Sequence, residues 1–111
     1  MPCTVHRIEG PPQSGKTTMA LGIAEKFYAE NIPVLYALPT KDMARWCQRR
    51  TTIKCFGGHL SREVMLDNVK RHRVIILDEP MKYSEDEIYE IASAMEYWYK
   101  GPTQLIIVKT R

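Results

Sequence analysis

The sequence predicts an α/β domain in three layers, with helices on both faces of a small, mainly parallel sheet of four to five strands. Two observations indicate this class. Apolar runs of strand length alternate along the chain with stretches of helix length, which is typical of β-α-β units. The runs at residues 74–77 and 105–108 are wholly aliphatic, as expected for strands buried on both faces. With 111 residues, the chain is predicted to form one domain, residues 1–111.

The first predicted strand, at residues 5–8, leads into a glycine-rich segment, and a helix at residues 18–28 follows it. The spacing of Met19, Ile23 and Phe27 places these side chains on one face of that helix. The next predicted elements are a strand at residues 33–38, a helix at 41–50, a strand at 53–56 and a helix that Ser61 caps and that runs to about residue 71.

The second half of the chain continues the alternation. A strand at residues 73–77 is followed by Ser84, and Glu87 three residues later completes a capping box. The helix that begins there ends before Gly101, and the last predicted strand covers residues 104–108.

The most restrictive segment is residues 10–17, which read GPPQSGKT, a complete G-x-x-x-x-G-K-T phosphate loop between a strand and a helix. Its glycines let successive backbone N–H groups point at one concavity, where an anion sits at a helix N-terminus. Lys16 is predicted to reach the β- and γ-phosphates of a nucleotide, and the Thr17 hydroxyl to ligate Mg²⁺. The residues predicted to bind the nucleotide are Gly10, Gln13, Ser14, Gly15, Lys16, Thr17 and Thr18.

Two adjacent carboxylates, Asp78 and Glu79, follow the aliphatic strand at residues 73–77. Ligands of open α/β sheets bind at the carboxyl ends of the strands, so we expect both acids to lie near the phosphate loop. Asp78 is predicted to hold Mg²⁺, directly or through water, opposite Thr17. Glu79 is predicted to orient an attacking water and to help deprotonate it.

Residues 10–17 and 74–79 together resemble the P-loop NTPases, and within them the division that carries an additional catalytic glutamate beside the Mg²⁺-binding Asp. The order of elements extends the resemblance over nearly the whole chain. It implies ATP and Mg²⁺ as cofactors. It also implies that the strand at residues 105–108 is inserted between the Asp-Glu strand and the phosphate-loop strand, at the centre of the sheet. Thr110 would then contact the γ-phosphate or the attacking water as a catalytic sensor; the alternative is a solvated chain end.

The segment at residues 38–41, LPTK, resembles the one that contacts the nucleic-acid backbone in superfamily one and two helicases and in large terminase subunits. The resemblance implies DNA or RNA as a partner. The alternative is a solvated basic helix whose Trp46 packs on the sheet. The residues predicted to contact nucleic acid are Thr40, Lys41, Arg45, Arg49 and Arg50.

Helicases, terminase motors and ring-forming ATPases of this division are normally much longer than 111 residues. We therefore expect a minimal core whose site is completed by a second copy or a partner protein, and an exposed edge strand favours a homo-oligomer. Arg71, Arg73 and Arg111 are candidates for an arginine finger, each with the alternative of an ordinary surface arginine.

Three cysteines, Cys3, Cys47 and Cys55, are an odd count and lack the C-x-x-C pairs of structural zinc sites, so a reducing compartment is favoured. Every aliphatic run is too short to span a bilayer, and the N-terminus does not resemble a signal sequence. These features predict a cytoplasmic protein without a membrane partner. The net charge of +3 permits contact with nucleic acid without arguing for it.

The sequence thus predicts a small Mg²⁺-dependent ATPase that serves a nucleic-acid process such as replication or genome packaging, in a small replicon or a virus. One alternative is a nucleoside or nucleotide kinase, because residues 10–18 also resemble the start of the type II thymidine kinases. In that case Glu79 accepts a proton from a sugar hydroxyl, although the zinc-bound lasso of those kinases has no counterpart in this sequence. A second alternative is a switch or adaptor that binds ATP and barely hydrolyses it.

Overall fold

The computed structural model describes residues 3–11, 15–58, 61–79, 83–99 and 101–110. Within these ranges, five strands alternate with four helices. The strands are β1 (Cys3–Gly10), β2 (Val34–Leu38), β3 (Lys54–Gly57), β4 (Val74–Asp78) and β5 (Thr103–Thr110). The helices are α1 (Lys16–Ala29), α2 (Lys41–Gln48), α3 (Arg62–Val69) and α4 (Glu85–Trp98). The predicted α/β class is therefore confirmed.

The five strands form one sheet in the order β1-β5-β4-β2-β3, and every neighbouring pair is parallel. The strand that comes last along the chain, β5, is inserted between β1 and β4, as expected. The middle strand, however, is β4, so the expectation that residues 105–108 lie at the centre is off by one strand. The cause is β1, which forms an edge of the sheet in the described part of the chain.

The two faces of the sheet are covered by different helices, which gives the predicted three layers. Alternate residues of β2, β4 and β5 pack against α1 and α2 on one face, where Ala20, Ala24 and Cys47 contribute to the core. The remaining residues of these strands pack against α3 and α4 on the other face, through Met65 and Met95 among others. All residues of β2 and β4 are buried, in agreement with their nearly continuous apolar sequence.

Several element boundaries differ from the predicted ones. α1 begins at Lys16, inside the glycine-rich loop, and its buried residues are Ala20, Leu21 and Ala24. Met19, predicted on the buried face, is 58% exposed, because the helix face that meets the sheet is centred on the two alanines. β1 and β5 are longer than predicted because they pair with each other along their whole length.

Side-chain caps begin the other three helices. The Thr40 side chain accepts a hydrogen bond from the Met43 N–H at the start of α2, and Ser61 accepts one from Val64 N–H at the start of α3. Ser84 and Glu87 form the predicted capping box of α4. None of the helices in the described ranges is long and apolar enough to cross a bilayer.

Candidate active site

The sheet order brings the functional segments to one edge. β1 and β5 are in register up to the pair Gly10–Thr110, and β4 and β5 up to the pair Asp78–Val108. The glycine-rich loop follows β1, and Glu79 follows β4, so both leave the sheet at the carboxyl ends of the two strands that flank β5. This is the edge at which open α/β sheets bind their ligands.

The loop ends at a position whose backbone conformation favours glycine. Gly15 precedes α1 as its N-cap and has a left-handed backbone with φ 81°. It offers no side chain to the first N–H groups of the helix, which leaves that end suited to an anion. Lys16 Nζ donates to the carbonyl oxygen of Pro11, 2.7 Å away, across the loop. Gln13 and Ser14, predicted to bind the nucleotide, lie outside the described residues.

Asp78 is the most deeply buried acid of the site, with 3% of its surface exposed. Its Oδ2 accepts two hydrogen bonds, from Thr17 Oγ1 at 2.9 Å and from Tyr36 Oη at 2.7 Å. Burial raises the pKa of Asp78 above that of an ordinary aspartate, and the two hydroxyl donors offset part of this rise. The loop and the β4 carboxylate are thus in direct contact through Thr17.

Glu79 adopts a backbone conformation that is unusual for a residue other than glycine. Its φ is 52°, in the left-handed region, and its N–H donates to the carbonyl of Val108, 2.6 Å away. Such a conformation typically costs about 1–3 kcal/mol and is found mostly at functional sites. The Glu79 Oε1 accepts a hydrogen bond from Thr110 Oγ1 at the end of β5. The two residues predicted to act on the attacking water therefore lie in contact.

A cleft opens beside Glu79 on the side of the sheet that faces α4, with a volume of about 340 Å³. Ile88 and Ile107 contribute apolar surface to its lining, and two further lining residues, Arg7 and Glu85, form an ion pair with 2.7 Å between the charged atoms. The described residues that line it are Arg7, Glu79, Tyr83, Glu85, Ile88, Ile107, Lys109 and Thr110. This volume is within the range of pockets that bind small molecules.

Comparisons with known proteins identify the fold. No family model and no curated protein matches the sequence. The structure is similar to that of the flagellar accessory protein FlaH from Methanocaldococcus jannaschii, with a TM-score of 0.63 and 12% sequence identity. The similarity covers 96% of this chain and 61% of the FlaH chain, so this chain spans about three fifths of FlaH. The all-parallel sheet and this likeness fit a P-loop NTPase fold.

The basic segment predicted to contact nucleic acid begins where β2 ends. Three of its members have partners within the protein: the Thr40 side chain caps α2, Arg45 pairs with Asp42 at 3.2 Å, and Arg50 contacts Trp46. Lys41, at the start of α2, is exposed, and so are Arg49 and Arg50, which follow the helix.

Trp46 does not pack on the sheet, contrary to the alternative interpretation of this helix. Its surface is 46% exposed, and the guanidinium of Arg50 stacks over the indole at 3.7 Å from the ring centroid. Arg50 also donates to the Trp46 carbonyl, 2.8 Å away, which holds the stacked pair in place. The C-terminal end of α2 and the residues that follow it therefore expose a cation stacked on an aromatic ring.

Two of the three candidate arginine fingers lie far from the loop. Arg73 precedes β4, at the end of that strand opposite Asp78, and donates to the Pro102 carbonyl at 3.1 Å. Arg71 pairs with Asp67 at 3.3 Å. Both arginines precede β4, so the whole length of that strand separates them from the carboxyl ends of the strands, where the loop lies. Arg111 lies outside the described residues.

Sequence reasoning missed one residue of the site, Tyr36. The apolar run at residues 33–38 predicts a buried strand without a polar contact; Tyr36 is indeed fully buried, but its hydroxyl donates to Asp78. A signal was present, because a tyrosine in a strand buried on both faces must satisfy its hydroxyl. Which partner it finds depends on the pairing of β2 with β4, which the local sequence does not specify.

Proposed function

We propose that this protein is a Mg²⁺-dependent ATPase of the division with an additional catalytic glutamate. The observation that carries the proposal is the contact of two pairs at one edge of the sheet, Thr17 with Asp78 and Glu79 with Thr110. The first pair joins the phosphate loop to a buried carboxylate, and the second orients an acid beside it. This arrangement fits hydrolysis of a bound nucleoside triphosphate.

The phosphate loop and α1 hold the triphosphate in this proposal. Lys16 exchanges the Pro11 carbonyl, which it now contacts, for the β- and γ-phosphate oxygens. The Thr17 hydroxyl and the Asp78 carboxylate are oxygen donors 2.9 Å apart, which is the chemistry that Mg²⁺ prefers. When bound, the metal neutralises charge that develops on the phosphate oxygens.

Glu79 acts as the base in this proposal. Thr110 donates a hydrogen bond to one oxygen of the Glu79 side chain, just past the C-terminal end of β4. This contact orients the Glu79 carboxylate. The Glu79 carboxylate accepts a proton from water as the water attacks the γ-phosphorus, and the bond to the bridging oxygen breaks to release ADP and phosphate. Thr110 holds Glu79 and contacts the γ-phosphate or the water, as expected for a sensor.

A nucleic-acid process such as replication or genome packaging is the context that we propose. Support comes from the exposed surface of α2 and of the two residues after it, where Arg50 stacks on Trp46 and Lys41 and Arg49 are accessible. Phosphates and a base could contact this combination. The exposed edge strand β1 supports the further proposal that a second copy or another protein completes the site.

A second candidate is phosphoryl transfer to a nucleoside or nucleotide, and the cleft of about 340 Å³ beside Glu79 favours it. A small acceptor placed there would put its hydroxyl next to the Glu79 carboxylate. The proton would then pass from that hydroxyl, instead of from water, to Glu79. The fold accommodates both reactions, because they differ only in which group occupies the position of the nucleophile.

Phosphate release separates the candidates. With ATP and Mg²⁺ we expect phosphate to be released, with stimulation by single- or double-stranded DNA, and release should stop when EDTA removes the metal. Transfer of the γ-phosphoryl group from ATP to an added nucleoside or nucleoside monophosphate, with release of ADP, would instead establish the kinase. Tight MgATP binding with no turnover under any of these conditions would contradict both and favour the switch or adaptor.

A further inference from the structure

Among the described residues, Tyr36 is the only tyrosine that is buried in the core, with 0% of its surface exposed. It lies in the middle of β2, between Leu35 and Ala37, where an aliphatic residue would fill the same space without a polar atom. Burying a hydroxyl without a partner typically costs about 1–3 kcal/mol. A tyrosine at this position therefore needs a defined acceptor.

The register of β2 against β4 supplies that acceptor. Tyr36 is paired with Ile76, and Asp78 follows two residues later on the same face of β4. The phenol extends toward the carboxyl edge and donates to Asp78 Oδ2 at 2.7 Å. Thr17 Oγ1 donates to the same oxygen at 2.9 Å. Two hydroxyl donors, Thr17 from α1 and Tyr36 from β2, thus hold the same oxygen of the Asp78 carboxylate.

We infer that Tyr36 is a positioning residue that fixes the Asp78 carboxylate for the metal that accompanies the nucleotide. The inference rests on the proposed function, because it concerns the same carboxylate. Asp78 is 3% exposed and accepts from two protein hydroxyls, so these donors set the orientation of its carboxylate. A carboxylate that is held in place before the ligand arrives loses little conformational freedom on binding.

The Tyr36→Phe variant tests this role because it removes one oxygen atom and keeps the ring. Nucleotide affinity should be measured twice for each protein, once with EDTA and once with Mg²⁺, using a fluorescent ATP analogue. We expect the affinity in EDTA to be unchanged, because Lys16 and the loop remain. The gain in affinity that Mg²⁺ gives should fall by about 10- to 100-fold, the usual effect of removing a partner of a metal ligand.

Tyr99→Phe is the matched control. Its hydroxyl donates to the Lys70 carbonyl at 3.0 Å, away from the loop, so it also loses one tyrosine hydrogen bond. In this control, Mg²⁺ should increase the nucleotide affinity as much as it does in the parent protein. If Tyr36→Phe does not fold, as judged by circular dichroism, Tyr36→Met is used, since its flexible side chain fills the same space without a hydroxyl.

The possible outcomes distinguish a failure of the positioning role of Tyr36 from a failure of the proposed function. A full Mg²⁺ gain in the parent and an equal gain in the Tyr36 variant would overturn the inference alone. Equal loss of affinity with EDTA and with Mg²⁺ would also overturn it, because that pattern indicates general damage to the loop. No gain from Mg²⁺ in the parent would overturn the proposed function, and the inference with it.

Discussion

At the scale of single residues, Asp78 and Glu79 are distinguished by the groups that donate hydrogen bonds to their carboxylates. Asp78 is buried and accepts from two hydroxyls, which favour its charged form against the effect of burial on its pKa. Glu79 is half-buried, and its left-handed backbone turns it toward Thr110. Adjacent carboxylates with such different surroundings suit the two tasks that we propose for them, binding the metal and accepting a proton.

The Glu79→Gln variant separates these tasks. It keeps the shape of the side chain and removes its basicity, so we expect MgATP binding within about twofold of the parent. Turnover should fall by about 100-fold or more, since general base catalysis typically contributes that much. Single-turnover phosphate release and equilibrium binding measure the two quantities. Glu85→Gln, on the wall of the same cleft, is the control, and equal rates in Glu79→Gln and the parent would remove Glu79 from the mechanism.

At the scale of elements, local sequence predicts the beginnings of helices better than the lengths of strands. The capping box of α4 was predicted from Ser84 and Glu87 alone, because its hydrogen bonds lie within four residues. The lengths of β1 and β5 were underestimated, because Thr103 and Thr110 join the strand only through pairing with the far end of the chain. The same dependence on distant pairing hid the contact between Tyr36 and Asp78.

The Ser84→Ala variant measures what the cap contributes. It removes the oxygen that accepts from the Glu87 N–H, at 3.1 Å, and leaves that donor without its side-chain partner. We expect the free energy of unfolding to fall by about 1 kcal/mol, within the usual range for lost caps. Urea unfolding followed by circular dichroism measures it. Ser93→Ala, on the exposed face of α4, should be neutral or slightly stabilising, and an equal loss in both variants would contradict the capping role.

At the scale of the whole molecule, the order of the strands produces the site. The strands β1, β5 and β4 are neighbours, so the loop, Thr110 and the pair of acids meet although they are far apart in sequence. The phosphate-loop motif and the aliphatic strand before Asp78 predicted this meeting, because both are complete within a few residues. The cleft beside Glu79 was not predicted, since Arg7, Glu85 and Ile107 approach one another only in the folded sheet.

Binding of MgATP to the Lys16→Ala variant tests the central claim most directly. The claim is that residues 10–17 form the site of a nucleoside triphosphate. The variant removes one charge-assisted contact, so MgATP affinity should fall by roughly 10- to 100-fold, equivalent to about 1.5–3 kcal/mol, while the circular dichroism spectrum stays unchanged. Lys26→Ala, also in α1, should bind MgATP as the parent does. Equal affinity in Lys16→Ala and the parent would contradict the account.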